Sequence, residues 1–336
     1  MKTGTVVIHR FESAILYDNP AGDPHVRQVP IYLPPSYATS PDRRYPVVYV
    51  LTGFTGRGRM LLNDNPWSPA LDERMDRLIS SGGCGEMILV MPDCFTRYGG
   101  SQYLNSTATG RYMDHVVTEL VPFVDRTYRT LAAREHRGVA GKSSGGYGAW
   151  MLAMLHPETF GAMASHSGDC YFEYCYRPDV PKFVSAIQAA GGLEKWFAGF
   201  QQKIQKKHDD LTVLNILGMA AAYSPNPATA PFGIDCPCDF ETGMFRDDVW
   251  QRWLALDPFE MLDREASVSA ALRDMKLVFF DCGVRDEWHL HLGARLMSRK
   301  LRALGIAHEH EEFDDGHMNV QYRYDVSLPR LAKVLA

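Results

Sequence analysis

Residues 139–150 read Val-Ala-Gly-Lys-Ser-Ser-Gly-Gly-Tyr-Gly-Ala-Trp, and this stretch decides the fold. It contains Gly-x-Ser-x-Gly as Gly141, Lys142, Ser143, Ser144 and Gly145. The apolar run His136–Gly141 precedes the serine, and a helical pattern, Gly146–His156, follows it. A serine held between a strand and a helix sits on a sharp, strained turn. The positions two before and two after it must then be nearly bare, because a side chain there would clash. Gly141 and Gly145 meet that demand for Ser143, whereas a Ser144 nucleophile would put Lys142 at the tight position. The helix start also aims free amides at the same point, which favours developing negative charge. Gly141-Lys142-Ser143 resembles the tail of a phosphate-binding loop, but His136 stands where that motif needs a glycine.

Outward from this turn, short apolar runs alternate with helical patterns. Strands are expected at Thr5–His9, Val26–Leu33, Tyr45–Thr52, Met87–Met91, His136–Gly141, Phe160–Ser165 and Lys276–Asp281. Helices are expected at Ala70–Ser80, Met113–Tyr128 (with Pro122 inside it), Gly146–His156, Leu290–Leu304 and Leu328–Leu335. Continuous apolar strands suit a sheet buried on both faces, and the alternation implies a mostly parallel α/β sheet with crossover helices. The two opening strands are close enough to pair as an antiparallel edge.

The stretch 170–265 breaks the rhythm. It is locally helical and holds Trp196, Trp250 and Trp253, three of the chain's six tryptophans. We read residues 1–169 and 266–336 as the core and 170–265 as an aromatic-rich helical insertion, either a lid or cap over the site or a dimer interface.

Composition narrows the class. Of 336 residues, 46% are hydrophobic and 22% charged, which excludes a disordered or collagen-like chain. A net charge of −5 gives no broad basic face for nucleic acid. No apolar stretch approaches the ~20 residues that span a bilayer, and the N-terminus lacks a signal-peptide core. The seven cysteines, an odd number at irregular spacing, point to free thiols in a cytoplasmic protein.

A serine hydroxyl needs a base, and the base needs an acid to fix its tautomer. Asp286 follows the Lys276–Asp281 strand, and His317 follows the turn-forming Asp315-Gly316. The order Ser143, Asp286, His317 is that of α/β-hydrolases. His166 competes as the base but precedes the acid; Asp281 and Glu287 compete as the acid. The pairs His289/His291 and His308/His310 lack a third ligand by spacing, so no metal is expected. The oxyanion hole requires two backbone N–H groups. Ser144 supplies one, and Phe54, after the strand ending at Thr52-Gly53, supplies the other.

Further segments carry a resemblance. They are Val29–Tyr37, Pro46–Gly53, Val90–Asp93, Tyr103–Ser106, Gly141–Gly146, Gly283–Asp286 and Gly316-His317, and they run in one order through most of the chain. The chain resembles the putative-esterase family of α/β-hydrolases, which includes esterase D-type S-formylglutathione hydrolases, feruloyl esterases, enterochelin esterases and mycolyltransferases. The resemblance implies an α/β-hydrolase fold, the triad Ser143, Asp286 and His317, and oxyanion donors at Phe54 and Ser144. It also implies substrate-binding roles for Tyr103 and Asn105. Thr52-Gly53 stands where many members carry His-Gly. The expected function is a cofactor-independent serine carboxylesterase acting on short-chain or aryl esters through an acyl-enzyme. The alternatives are an acyltransferase or an S-formylglutathione-type thioesterase with the same triad, or an inactive binding protein.

Overall fold

The structure, a computed structural model, describes residues 3–336 apart from the side chain of His208. Its main sheet has eight strands: β1 Thr5–Glu12, β2 Val26–Leu33, β3 Val47–Leu51, β4 Ile88–Val90, β5 Arg137–Lys142, β6 Ala162–His166, β7 Leu277–Gly283 and β8 Glu309–Phe313. They lie in the order β1-β2-β4-β3-β5-β6-β7-β8. The pairs β1/β2 and β2/β4 are antiparallel, and every other pair is parallel. The expected antiparallel edge is therefore present, on an otherwise parallel sheet of the α/β-hydrolase type.

Strands β3, β4, β6 and β7 are buried along their whole length, which is why β3 and β4 read as unbroken apolar runs and β6 and β7 open on apolar ones. The edge strand β8 is different. Its sequence, Glu-His-Glu-Glu-Phe, carries no apolar run, and the sequence reading assigns no strand there. Charged residues suit an exposed edge because they discourage pairing with another chain.

Helices cover both faces. Helix α1 (Leu71–Ser80) and the C-terminal helix pack on one side with β3, β4 and β6. The segment expected as one helix at Met113–Tyr128 is divided. His115–Leu120 forms a wide π-helical turn, and α2 (Val121–Thr127) follows with Pro122 in its first turn. Proline has no N–H to give to the preceding turn, so the division falls there. Helix α3 (Ser144–Leu155) begins at the Gly-x-Ser-x-Gly turn and is buried from Ser144 to Met154.

The stretch 170–265 is helical: α4 Val180–Ala189, α5 Leu193–Gln202, α6 His208–Tyr223, α7 Asp247–Leu254 and α8 Pro258–Arg264. Helices α9 (Ala266–Arg273), α10 (Leu290–Ala303) and α11 (Tyr324–Leu335) complete the chain. Most of the large aromatic residues of this stretch, Phe172, Tyr176, Tyr223, Trp250 and Trp253 among them, are buried. The Phe172 ring stacks on Tyr223 (5.0 Å), and Tyr223 meets Trp253 edge-on (5.3 Å). Tyr147 of α3 joins the same cluster, 5.7 Å from Tyr223. One apolar core thus runs from the sheet through α3 into this stretch.

All seven cysteines are free thiols. No helix among the described residues is long and apolar enough to cross a membrane.

Trp253 is fully buried, and its indole N–H donates to the Ser224 hydroxyl at 2.8 Å. Trp253→Ala should lower unfolding free energy by about 3–5 kcal/mol, read as a shift in the urea midpoint. If the core is continuous, far-UV and near-UV signals should move together in that variant.

Candidate active site

Ser143 closes β5 and opens α3 at φ 60° and ψ −126°, a strained conformation for a residue with a Cβ. Its N–H donates to the His166 carbonyl on β6 at 2.8 Å, which helps to hold the turn. Neither flanking glycine tolerates a side chain. A Cβ on Gly141 would lie 2.2 Å from the Gly145 carbonyl oxygen, and one on Gly145 would lie 2.2 Å from the Leu51 carbonyl oxygen. The turn is forced by the close approach of β3, β5 and α3.

Asp286 and His317 converge on this serine from the ends of β7 and β8. His317 Nε2 lies 2.9 Å from Ser143 Oγ, and its Nδ1 lies 2.7 Å from Asp286 Oδ2. Asp286 also accepts the Trp288 N–H at 2.9 Å. Burial pushes its carboxyl up, but the bond and charge of His317, with the Trp288 and Leu290 amides, outweigh burial and hold it below its usual range. An ionised Asp286 fixes the proton on Nδ1 and leaves Nε2 free to accept from Ser143. The loop itself is held by Glu287, which accepts the His317 N–H at 2.7 Å. The Trp288 ring lies edge-on to the imidazole at 4.7 Å.

The competing residues have other partners. His166 and Asp281 bond each other at 2.8 Å and are buried. His308 bonds the Ser298 hydroxyl, and the His310 ring stacks on Phe280. Among the described residues no three His, Cys, Asp or Glu side chains gather closely enough to hold a metal ion.

Gly53 brings the chain after β3 against the serine: a Cβ there would lie 3.8 Å from Ser143 Oγ. The Phe54 and Ser144 N–H groups have no acceptor among the described residues, so both are available to a negative oxygen beside Ser143. The Phe54 ring sits against bare backbone, where a Cβ on Gly99 or Gly218 would come within 2.4 Å or 2.9 Å of it.

Tyr103 lies beneath this loop. Its hydroxyl donates to the Thr52 carbonyl at 2.7 Å, and its ring fills the space that Gly148 leaves open on α3. It is buried and supports the strand end from inside. Asn105 is not drawn into the group. It is exposed, its amide donates to Asp114 at 2.8 Å, and its carbonyl accepts the Asp114 N–H.

Some neighbours of the site carry no sequence signal. Tyr176 donates to Asp169 at 2.6 Å, while Gln102 donates to Tyr223 at 2.8 Å and to Asp169 at 3.2 Å. Burial raises the Asp169 carboxyl, and Tyr176 and the nearby His317 pull it partly back. Burial also draws the Lys142 ammonium down to about 8, against the pull of Asp286, Asp169 and Glu287. No spacing rule joins residues 102, 142, 169, 176 and 223; they come from loops, a strand end and the helices of 170–265, and only the tertiary fold brings them together.

Comparison with known proteins bears on the family and the fold. A family model described as "Putative esterase" matches residues 24–323. The endo-1,4-beta-xylanase/feruloyl esterase of Xylanibacter ruminicola is 27% identical over 161 residues, 46% of this chain and 21% of that protein. An esterase of Mycobacterium tuberculosis is 31% identical over 161 residues, 48% of this chain and 31% of that protein. The matched segment spans well under half of either relative. A ferulic acid esterase structure superposes with a TM-score of 0.63 at 20% identity, covering 99% of this chain and 98% of that one. At that identity the likeness is one of fold.

Gly145→Ala tests the packing of the turn. Its methyl group would collide with the β3 backbone, which cannot swing aside, so a loss of at least about 3 kcal/mol is expected. The thermal midpoint measures it; unchanged stability would contradict the close approach.

Proposed function

The chain belongs to the "Putative esterase" family, and from that premise we propose that it is a serine carboxylesterase working through Ser143, His317 and Asp286. The observation that carries this reading is the unbroken line from Asp286 to His317 to Ser143, with links of 2.7 Å and 2.9 Å.

In this reading Ser143 Oγ attacks the ester carbonyl carbon, and its proton passes to His317 Nε2. Asp286 stabilises the imidazolium. The negative carbonyl oxygen is bound by the N–H groups of Phe54 and Ser144, a kind of donor whose loss typically costs about 10²–10³ in rate. The intermediate collapses, the C–O bond to the alcohol breaks, and His317 returns its proton to the departing oxygen. Water then attacks the carbonyl carbon of the acyl-Ser143 ester as His317 Nε2 takes its proton; the bond from that carbon to Ser143 Oγ breaks, His317 returns the proton to Oγ, and the carboxylic acid leaves. No cofactor takes part in any step.

The substrate class is a small carboxylic ester with a short-chain or aryl acyl group. We assign 170–265 as a cap and not a mobile lid. Tyr147 donates to the Leu256 carbonyl at 2.9 Å, and Gln102 and Asp169 bond Tyr223 and Tyr176. Seven free thiols fit the reducing cytoplasm as its location.

Ser143→Ala should lower turnover of p-nitrophenyl acetate at least about 10⁴-fold with an unchanged circular dichroism spectrum; near-normal turnover would discard the assignment. Asp286→Asn should lower kcat by about 10²–10⁴, since an amide in that place allows the wrong imidazole tautomer. A thioesterase would turn over S-formylglutathione faster than p-nitrophenyl acetate. An acyltransferase would give a transesterified product when alcohol is added. The esterase reading expects neither.

A further inference from the structure

The two residues that compete for the triad in the sequence, His166 and Asp281, form a second Ser-His-Asp arrangement of their own. His166 Nε2 lies 2.8 Å from Ser327 Oγ, and its Nδ1 lies 2.8 Å from Asp281 Oδ1. All three residues are at most 1% exposed, so no substrate reaches them. A buried polar set of this kind is costly unless every group is paired.

The sheet register explains how the set is built. His166 stands directly opposite Asp281 across β6 and β7, and Asp281 stands directly opposite Glu311 across β7 and β8. Two neighbouring carboxylates repel one another unless a cation lies across them. Arg323 fills that position. Its Nε donates to Asp281 Oδ2 at 2.8 Å, and another nitrogen of the same guanidinium donates to Glu311 Oε2 at 2.6 Å. Asp281 is thus paired through one oxygen with His166 and through the other with Arg323.

Each arm of the set leads to a member of the Ser143 group. The His166 carbonyl receives the Ser143 N–H. Asp281 lies on the strand that runs straight into Asp286. Glu311 and Arg323 flank the segment that carries His317, and their bond closes it into a loop tied at both ends. The tie to Asp281, and through Asp281 to His166, then links that loop to β6, the strand next to Ser143.

We propose that His166, Asp281, Arg323 and Glu311 are positioning residues that hold the His317 loop and the Ser143 turn in one register. The proposal rests on the serine esterase reading for its kinetic readout. None of these residues touches substrate. Their effect is geometric, and misplacement by about 1 Å at a reacting group can cost on the order of 10²-fold in rate.

Arg323→Lys tests it. Lysine keeps the charge but, as a point donor, does not span two carboxylates as the guanidinium fork does. The variant should lose about 10–100-fold in kcat with KM within about twofold, the signature of an interaction used after binding. Hydrogen exchange measured by mass spectrometry should quicken in the peptide covering 312–322, while β3 and β5 keep the wild-type rate. Glu311→Gln, at a partly exposed side chain, is the second variant should Arg323→Lys fail to fold, with about a 3–10-fold fall in kcat expected. In the folded variant, a wild-type kcat or unchanged exchange in 312–322 would overturn the proposal, and so would a loss carried by KM alone. If the wild-type protein shows no esterase turnover, the esterase reading falls, and the exchange measurement alone still decides whether this network holds the loop.

Discussion

The structure depends on a place where no side chain fits. The chain leaves β5, turns at Ser143 and enters α3 so close to β3 that the Gly145 position abuts the Leu51 carbonyl. That proximity holds the serine in its strained backbone conformation and leaves the Ser144 amide free. It also brings Gly53 alongside, so the loop after β3 faces the same point. Phe54, Ser144 and Ser143 are neighbours because three backbones meet there with almost no volume between them.

The rest of the site is held by layers behind this contact. Tyr103 braces the Thr52 carbonyl from below, a support that stands in this chain beside the Thr52-Gly53 departure from His-Gly. Glu287 and Trp288 hold the His317 loop from its own side. A buried Asp286 kept ionised by amides and imidazole supplies orientation without needing solvent. Each contact limits a degree of freedom that would otherwise have to be frozen when substrate binds.

Much of this was legible in the sequence, for definable reasons. Strands buried on both faces are largely apolar, so β3, β4 and the apolar starts of β6 and β7 are legible, while the polar residues near their ends, His166 and Asp281, are buried because they pair with each other. The bare glycines around Ser143 follow from sterics that act within five residues. Asp286 and His317 were legible because each follows a strand in a turn-forming context. What escaped was set by edges and by distant pairing. Strand β8 is charged because it lies at the rim, and so it lacked the apolar signal. The π-helical turn at His115–Leu120 arises from a register adjustment before Pro122 that no periodicity encodes. The resemblance implies a substrate-binding role for Tyr103, yet its hydroxyl is committed to the Thr52 carbonyl. The amide of Asn105, implied with it, is committed to Asp114. The pairing of His166 with Asp281 depends on strand order and cannot be read from either residue's local context.

The Phe54 ring touches Gly218 on α6, a helix that lies wholly in the 170–265 stretch. The residue that offers its amide beside Ser143 is therefore wedged against an element far away in sequence. Exchanging that stretch for one from a relative is consequently not a modular graft. A recipient helix with even a methyl group at the Gly218 position would press on the ring and tilt the peptide that carries the amide. A change in the outer helices therefore reaches the inner loop through this one contact.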